Sequence, residues 1–236
     1  MRDLAVSQGD TAPSLFDDIF KPTENSLSHI LVINSSVSGQ LSVSRALVGD
    51  TVQRLIDADP GGSLMYRDLD EHPIPHLAST TVAGVRAVAA TDAELATRAL
   101  SDTLIAELRA ADIVVIGAPM YNFSIPSTLR AWFDHVLRPR VTFAYSDAGP
   151  QGLLTGKRAI VIESRGGLYS EGPAKANDFQ EPYLKQLLGF IGITDVTFIH
   201  AERIGFGPEA REQALASARV QIAQAVARLV DNLILE

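Results

Sequence analysis

Three observations predict a doubly wound α/β fold, with a five-stranded parallel sheet covered by helices on both faces. Five short apolar runs recur along the chain, at residues 29–34, 63–69, 112–119, 158–164 and 195–202. The stretches between and after them place apolar residues at helical spacing. The loops that follow the first, third and fourth runs are unusual in composition. Continuous apolar runs suit strands buried on both faces, as parallel sheets require. Strands that alternate with helices pack as right-handed crossover units.

Residues 1–27 hold scattered Asp, Pro, Ser and Thr and precede any periodic pattern, so they read as an N-terminal extension. Leu15, Phe16, Ile19 and Phe20 have helical spacing there, so a short docking helix is one alternative to disorder. Residues 28–236 read as one domain. HILVIN is the first strand, and Leu47, Val48, Val52, Leu55 and Ile56 mark the first helix. Pro60, Gly61 and Gly62 signal a turn into the second strand, SLMYRDL. A loop with Pro73 and Pro75 leads to a helix over about 91–110, and DIVVIGAP is the third strand. Leu129, Trp132, Phe133, Val136 and Leu137 form an apolar helical stripe. Residues 141–157 combine alternation with glycines, which predicts a surface excursion. RAIVIES is the fourth strand, 181–191 a helix, DVTFIHAE the fifth strand, and Pro208 opens the last helix. Five such units fit the flavodoxin-like strand order 2-1-3-4-5, which binds ligands beyond the carboxyl ends of its strands at the switch point.

Composition narrows the function. The chain of 236 residues is 46% hydrophobic and 20% charged, as soluble globular proteins are. A net charge of −8 has the wrong sign for general binding to nucleic acid or anionic lipid. Cysteine is absent, which removes disulfides, Cys-ligated metals and thiol nucleophiles. No apolar run approaches the ~20 residues of a membrane span, and the N-terminus lacks a secretory pattern. The reading is cytoplasmic. The five histidines stand at separate structural positions without metal-ligand spacing, and the carboxylates form no evident pair, so no metal site is expected.

The loop at 35–44 runs into a helix N-terminus, where free N–H groups favour a phosphate, with hydroxyls at Ser36, Ser42 and Ser44 as further donors. Plain helix capping by serine is the alternative. Neither GxGxxG nor GxxxxGK[ST] is present, which argues against a dinucleotide fingerprint and a P-loop. The loop at 118–126 is apolar and aromatic; it either packs over the core or touches a flat apolar ligand. In the third loop, at 164–169, Gly166 and Gly167 allow close backbone approach or an ordinary turn. Taken together, the loops suggest a phosphate at one end and a planar hydrogen-bonding ring at the other, as in FMN.

From about Ser28 onward the chain resembles the FMN-dependent NADH-azoreductase family, also described as NADH:quinone oxidoreductases. APMYNF at 118–123, SRGG at 164–167 and GFIGITDV at 189–196 carry the resemblance, with SDTLIAEL and RDLDEHPIP in support. It implies a homodimer with one FMN per subunit and active sites at the interface. Ser36, Ser42, Val43 and Ser44 would hold the phosphate end. Met120, Tyr121, Asn122, Phe123, Ser164, Arg165, Gly166 and Gly167 would line the isoalloxazine ring. Phe123, Tyr145, Tyr169 and Phe190 would shape the substrate pocket. Tyr169 stands where well-known members carry histidine, and Arg140 where glycine is common. The implied activity passes a hydride from NADH through FMN to quinones, and cleaves aromatic azo compounds to amines. An NADPH-dependent FMN reductase and a flavodoxin-like electron carrier are the alternatives.

Overall fold

A computed structural model describes residues 28–147 and 149–234, with side chains described as far as Leu229. The expected helix through Leu15, Phe16, Ile19 and Phe20 lies outside the described residues. The strands are β1 (His29–Asn34), β2 (Ser63–Asp68), β3 (Ile113–Pro119), β4 (Phe143–Ser146), β5 (Gly149–Gly152), β6 (Arg158–Ser164) and β7 (Asp195–Ala201). The helices are α1 (Val43–Ala58), α2 (Ala83–Arg86), α3 (Asp92–Ala110), α4 (Ser127–Val136), α5 (Glu181–Ile191) and α6 (Pro208–Ile234). One five-stranded sheet runs β2-β1-β3-β6-β7, and β4 and β5 form a separate ribbon. Every pair in the large sheet is parallel. Counting the parallel strands alone, the order is 2-1-3-4-5; the ribbon is the excursion at 141–157.

Alternation along buried strands sends side chains to two cores. Ile30, Val32, Val115 and Ile162 pack against Leu47 and Val52 of α1 and Ile222 of α6. Leu31, Ile33, Val114 and Val161 pack on the other face against Leu104 of α3, Leu129 of α4 and Leu184 of α5. Each such side chain contributes about 1.5–3 kcal/mol on full burial. Trp132 and Phe133 of α4 are buried edge to face, with centroids 4.9 Å apart, so their stripe belongs to the core.

Local chemistry sets the helix ends. Thr91 and Glu94 form a capping box at the start of α3. Gly192 closes α5 at φ 105, a left-handed conformation suited to glycine. The short α2, which periodicity does not signal, is held to α3 by the Arg98 guanidinium on the carbonyls of Gly84 and Ala87.

The ribbon lies far from the switch point. The Leu154 N–H donates to the Ile191 carbonyl at 2.8 Å. A Cβ on Gly152 would fall 2.1 Å from the Gly192 nitrogen, so the ribbon touches the end of α5 backbone to backbone. That end is one helix length, about 16 Å, from the start of α5 beside the third loop.

Candidate functional site: three loops at the carboxyl edge of the sheet

The first loop is anchored from below. The Ser35 hydroxyl donates to the Gly117 carbonyl at 2.7 Å, and the Thr128 hydroxyl donates to the Ser35 carbonyl at 3.2 Å. Ser42 caps α1, its Oγ accepting from the Arg45 N–H at 3.1 Å and lying 3.1 Å from the Ser44 Oγ. Among the described residues the N–H groups of Val43 and Ser44, in the first turn of α1, have no acceptor. Capping and anion binding are therefore compatible: the cap uses Arg45, and two donors are left. The Arg45 guanidinium is itself paired with Asp68, which raises its pKa. Ser36, Ser42, Val43 and Ser44 are all buried.

In the second loop, Met120 N–H donates to the Ser164 carbonyl at 2.9 Å, which joins this loop to the third. Tyr121 and Ser124 exchange backbone bonds of 2.9 and 3.1 Å around Asn122 and Phe123. Both turn residues have positive φ, 49 for Asn122 and 71 for Phe123. A two-residue turn of this hand favours Asn-Gly, and a bulky second residue costs about 1–2 kcal/mol. The strain presents the Phe123 ring, 49% exposed, in edge-to-face contact with Tyr169 at 6.2 Å. Arg140, another departure from glycine, likewise sits at φ 65.

The third loop has its carbonyls occupied. Ile204 N–H donates to Arg165, Gly205 N–H to Gly166 and Arg203 N–H to Gly167, at 3.2, 3.1 and 2.8 Å. The N–H groups of Gly166 and Gly167 have no acceptor among the described residues. A Cβ on Gly166 would meet nothing within 4 Å, so open space adjoins these free donors. Free donors at the α1 terminus, free donors beside Gly166 and the apolar second loop between them fit FMN.

Arg165 differs from expectation. Its side chain is wholly buried and turned into a carboxylate cluster; its backbone N–H donates to the Ala201 carbonyl at 2.9 Å. The guanidinium and the backbone N–H are thus both taken up within the protein, which makes the side chain a structural cation of the third loop. The guanidinium pairs with Glu163, with Asp178 at 3.0 Å and with Glu202 at 3.2 Å, and its Nε donates to the Gln180 amide oxygen at 3.1 Å. The carboxylates, which form no evident pair in the sequence, are gathered by the fold around this one guanidinium. His200 joins the cluster, with its Nε2 2.8 Å from Glu181 and 3.3 Å from Glu163. Glu163, Glu181 and His200 bring ligand atoms within 4.8 Å, but the Arg165 guanidinium already neutralises their centre. Burial raises the Glu163 pKa against its partners. The hydrogen bond to Glu163 raises that of His200, outweighing burial. Burial acts upward on Glu202 too, but bonds from Ser170, the Tyr169 N–H and Arg165 hold it below the usual carboxylate range.

The expected substrate pocket separates into two groups. Phe123 and Tyr169 meet at the loops. Tyr145 and Phe190 instead flank Phe143 at the ribbon, with centroids 5.6 and 4.6 Å from its ring. Within one chain they stand at the ribbon, away from the flavin loops.

A five-stranded parallel sheet with unpaired backbone N–H groups at its switch point defines a flavodoxin-like protein, and residues 28–226 match the flavodoxin-like fold family. The chain is 61% identical over 198 residues to the FMN-dependent NADH:quinone oxidoreductase of Hyphomonas neptunium, covering 84% of this chain and 95% of that one. It is 49% identical over 192 residues to the enzyme of the same name from Ralstonia nicotianae, covering 80% and 92%. The solved structure of the azoreductase AzrA superposes with TM-score 0.78 at 26% identity, covering 85% of this chain and 99% of the other. The chain belongs to the FMN-dependent NADH:quinone oxidoreductase family.

Proposed function

We propose that this protein is an FMN-dependent NADH:quinone oxidoreductase that also cleaves aromatic azo compounds, acting as a cytoplasmic homodimer. The observation that carries this reading is the pairing of free N–H groups at Val43 and Ser44 with free N–H groups at Gly166 and Gly167, on either side of an apolar loop. Names of relatives at 61% and 49% identity supply the donor and the quinone class. The azoreductase neighbour supplies the azo class. Among the described residues, no helix is long and apolar enough to cross a membrane.

The first turn of α1 and the Ser36, Ser42 and Ser44 hydroxyls bind the phosphate without a free cation, in keeping with the paired Arg45. Gly166 and Gly167 would offer their free N–H groups to the ring, where preorganised donors favour the negative charge of reduction. Met120 and Phe123 exclude water from the ring face. FMN, when bound, supplies two-electron exchange, so a quinone needs one round and an azo bond, which takes four electrons, needs two. Tyr145 and Phe190 line the pocket from a second subunit, since in their own chain the length of α5 separates them from the loops.

Identification of the released chromophore tests the reading. Heat-denatured protein should release FMN in a ratio near one per chain. Release of FAD, or failure of apoprotein to take up FMN, contradicts it.

A further inference from the structure

Residues 178–180 cross between the second and third loops, and nothing in the sequence patterns marks them. The Phe179 N–H donates to the Phe123 carbonyl at 3.2 Å. The Gln180 side chain is fully buried and bonds at both ends: Nε2 donates to the Ala118 carbonyl at 2.7 Å, and Oε1 accepts from Arg165 Nε at 3.1 Å. A guanidinium only donates and a carbonyl only accepts, so these partners fix the orientation of the amide. Asp178 reinforces the crossing through Arg165 at 3.0 Å, and its Oδ1 accepts from the Gln180 N–H at 2.9 Å. Glu202, also on Arg165, accepts from the Tyr169 and Ser170 N–H groups at 2.7 and 2.9 Å, which extends the connection to the pocket tyrosine.

We propose that Gln180, through Arg165 on one side and Ala118 on the other, is a positioning residue that sets the spacing between the two loops gripping the isoalloxazine. Gln180 bonds to Ala118, two residues before Met120, and to Arg165, the residue before Gly166, next to the groups assigned to the ring. Each loop alone is short and holds a strained or glycine-rich segment. A buried amide bonded to both makes them one rigid jaw, so ring affinity and reduction potential depend on a residue outside the site. A side chain of similar volume but only one bonding end, or none, lets the spacing drift. This rests on the FMN reading above.

The test compares wild type with Gln180→Met, which keeps volume and loses both bonds, and Gln180→Glu. The latter keeps an acceptor for Arg165 but places a carboxylate oxygen against the Ala118 carbonyl. FMN is titrated into each folded apoprotein by fluorescence, and the visible spectrum and midpoint potential of each holoprotein are recorded. About a tenfold rise in Kd, equivalent to about 1.4 kcal/mol, is expected for both variants, with a shifted flavin band and potential. A lower melting temperature with wild-type Kd, spectrum and potential would overturn the proposal and leave Gln180 as packing. Failure of the wild type itself to bind FMN would refute the flavin reading instead. Should neither variant fold, hydrogen exchange on the wild type decides. The hydrogen-bonded amides of Met120, Tyr121, Ser124 and Arg165 should open with one common free energy, and independent opening would overturn the proposal.

Discussion

The Tyr121 hydroxyl lies 3.3 Å from the Ser36 Oγ, although the two residues are 85 positions apart. Ser38 approaches the same hydroxyl at 3.3 Å. The loop assigned to the phosphate and the loop assigned to the ring are thus in contact at the switch point, which makes one continuous cradle of what the chain presents as separate segments.

Ser44 separates capping from cofactor binding. Its hydroxyl bonds to Ser42, while the cap on Arg45 is made by Ser42 alone. Ser44→Ala should weaken FMN binding by about 1.5–3 kcal/mol, the value of a hydrogen bond to a charged group, and leave helix stability nearly unchanged. Ser42→Ala should also lower apoprotein stability by roughly 1 kcal/mol. Isothermal titration and thermal melts of both variants distinguish the effects; equal FMN affinity in Ser44→Ala would return that hydroxyl to structure alone.

Phe123 holds a conformation that glycine would adopt at less cost. In Phe123→Gly, relief of about 1–2 kcal/mol of backbone strain opposes the entropy cost of glycine, about 0.5–1 kcal/mol. Apoprotein stability should change by less than about 1.5 kcal/mol, the largest difference between these opposing effects, while kcat/KM falls. Denaturant melts and steady-state kinetics check this. A large loss of stability would make the ring a core residue.

Much of the fold was legible because burial on both faces leaves a continuous apolar run, as in IVVIGAP, and because Thr91 and Pro208 sit at helix starts. The loop ends were legible through their composition. Arg165 was not: its place in SRGG suggests the ligand, whereas its burial follows from carboxylates at 163, 178 and 202 that only the fold assembles. A basic residue ending an apolar strand was the available signal. Gln180 carries no periodic signal, since its two bonds reach across 62 and 15 residues. The place of Tyr145 depends on the path of the ribbon, which alternation alone does not give.

Tyr145 is 73% exposed at the ribbon, as a side chain offered to a second subunit would be. Tyr145→Ala should change acceptor selectivity by about 2- to 12-fold in kcat/KM, the equivalent of 0.5–1.5 kcal/mol of stacking, with FMN occupancy unchanged. Kinetics on a benzoquinone, a naphthoquinone and an azo dye test it. Equal effects on all three would place Tyr145 outside the pocket.

His200 gives stability a pH dependence. Its pKa in the folded protein is raised, chiefly by the bond to Glu163, against burial. The stabilisation is therefore full below the unfolded value of about 6.5 and is lost as pH rises through the folded value. The melting temperature of wild type should fall relative to that of His200→Gln across that window. Parallel pH profiles for the two proteins would show that His200 does not titrate there.

The most direct measurement of the central claim is an anaerobic visible spectrum of the purified holoprotein, taken before and after one equivalent of NADH and again after one equivalent of quinone. The flavin band should bleach with NADH and return with the quinone. A band that NADH leaves unchanged, or that bleaches and does not return with quinone, would contradict a reductase that passes electrons from NADH to quinones.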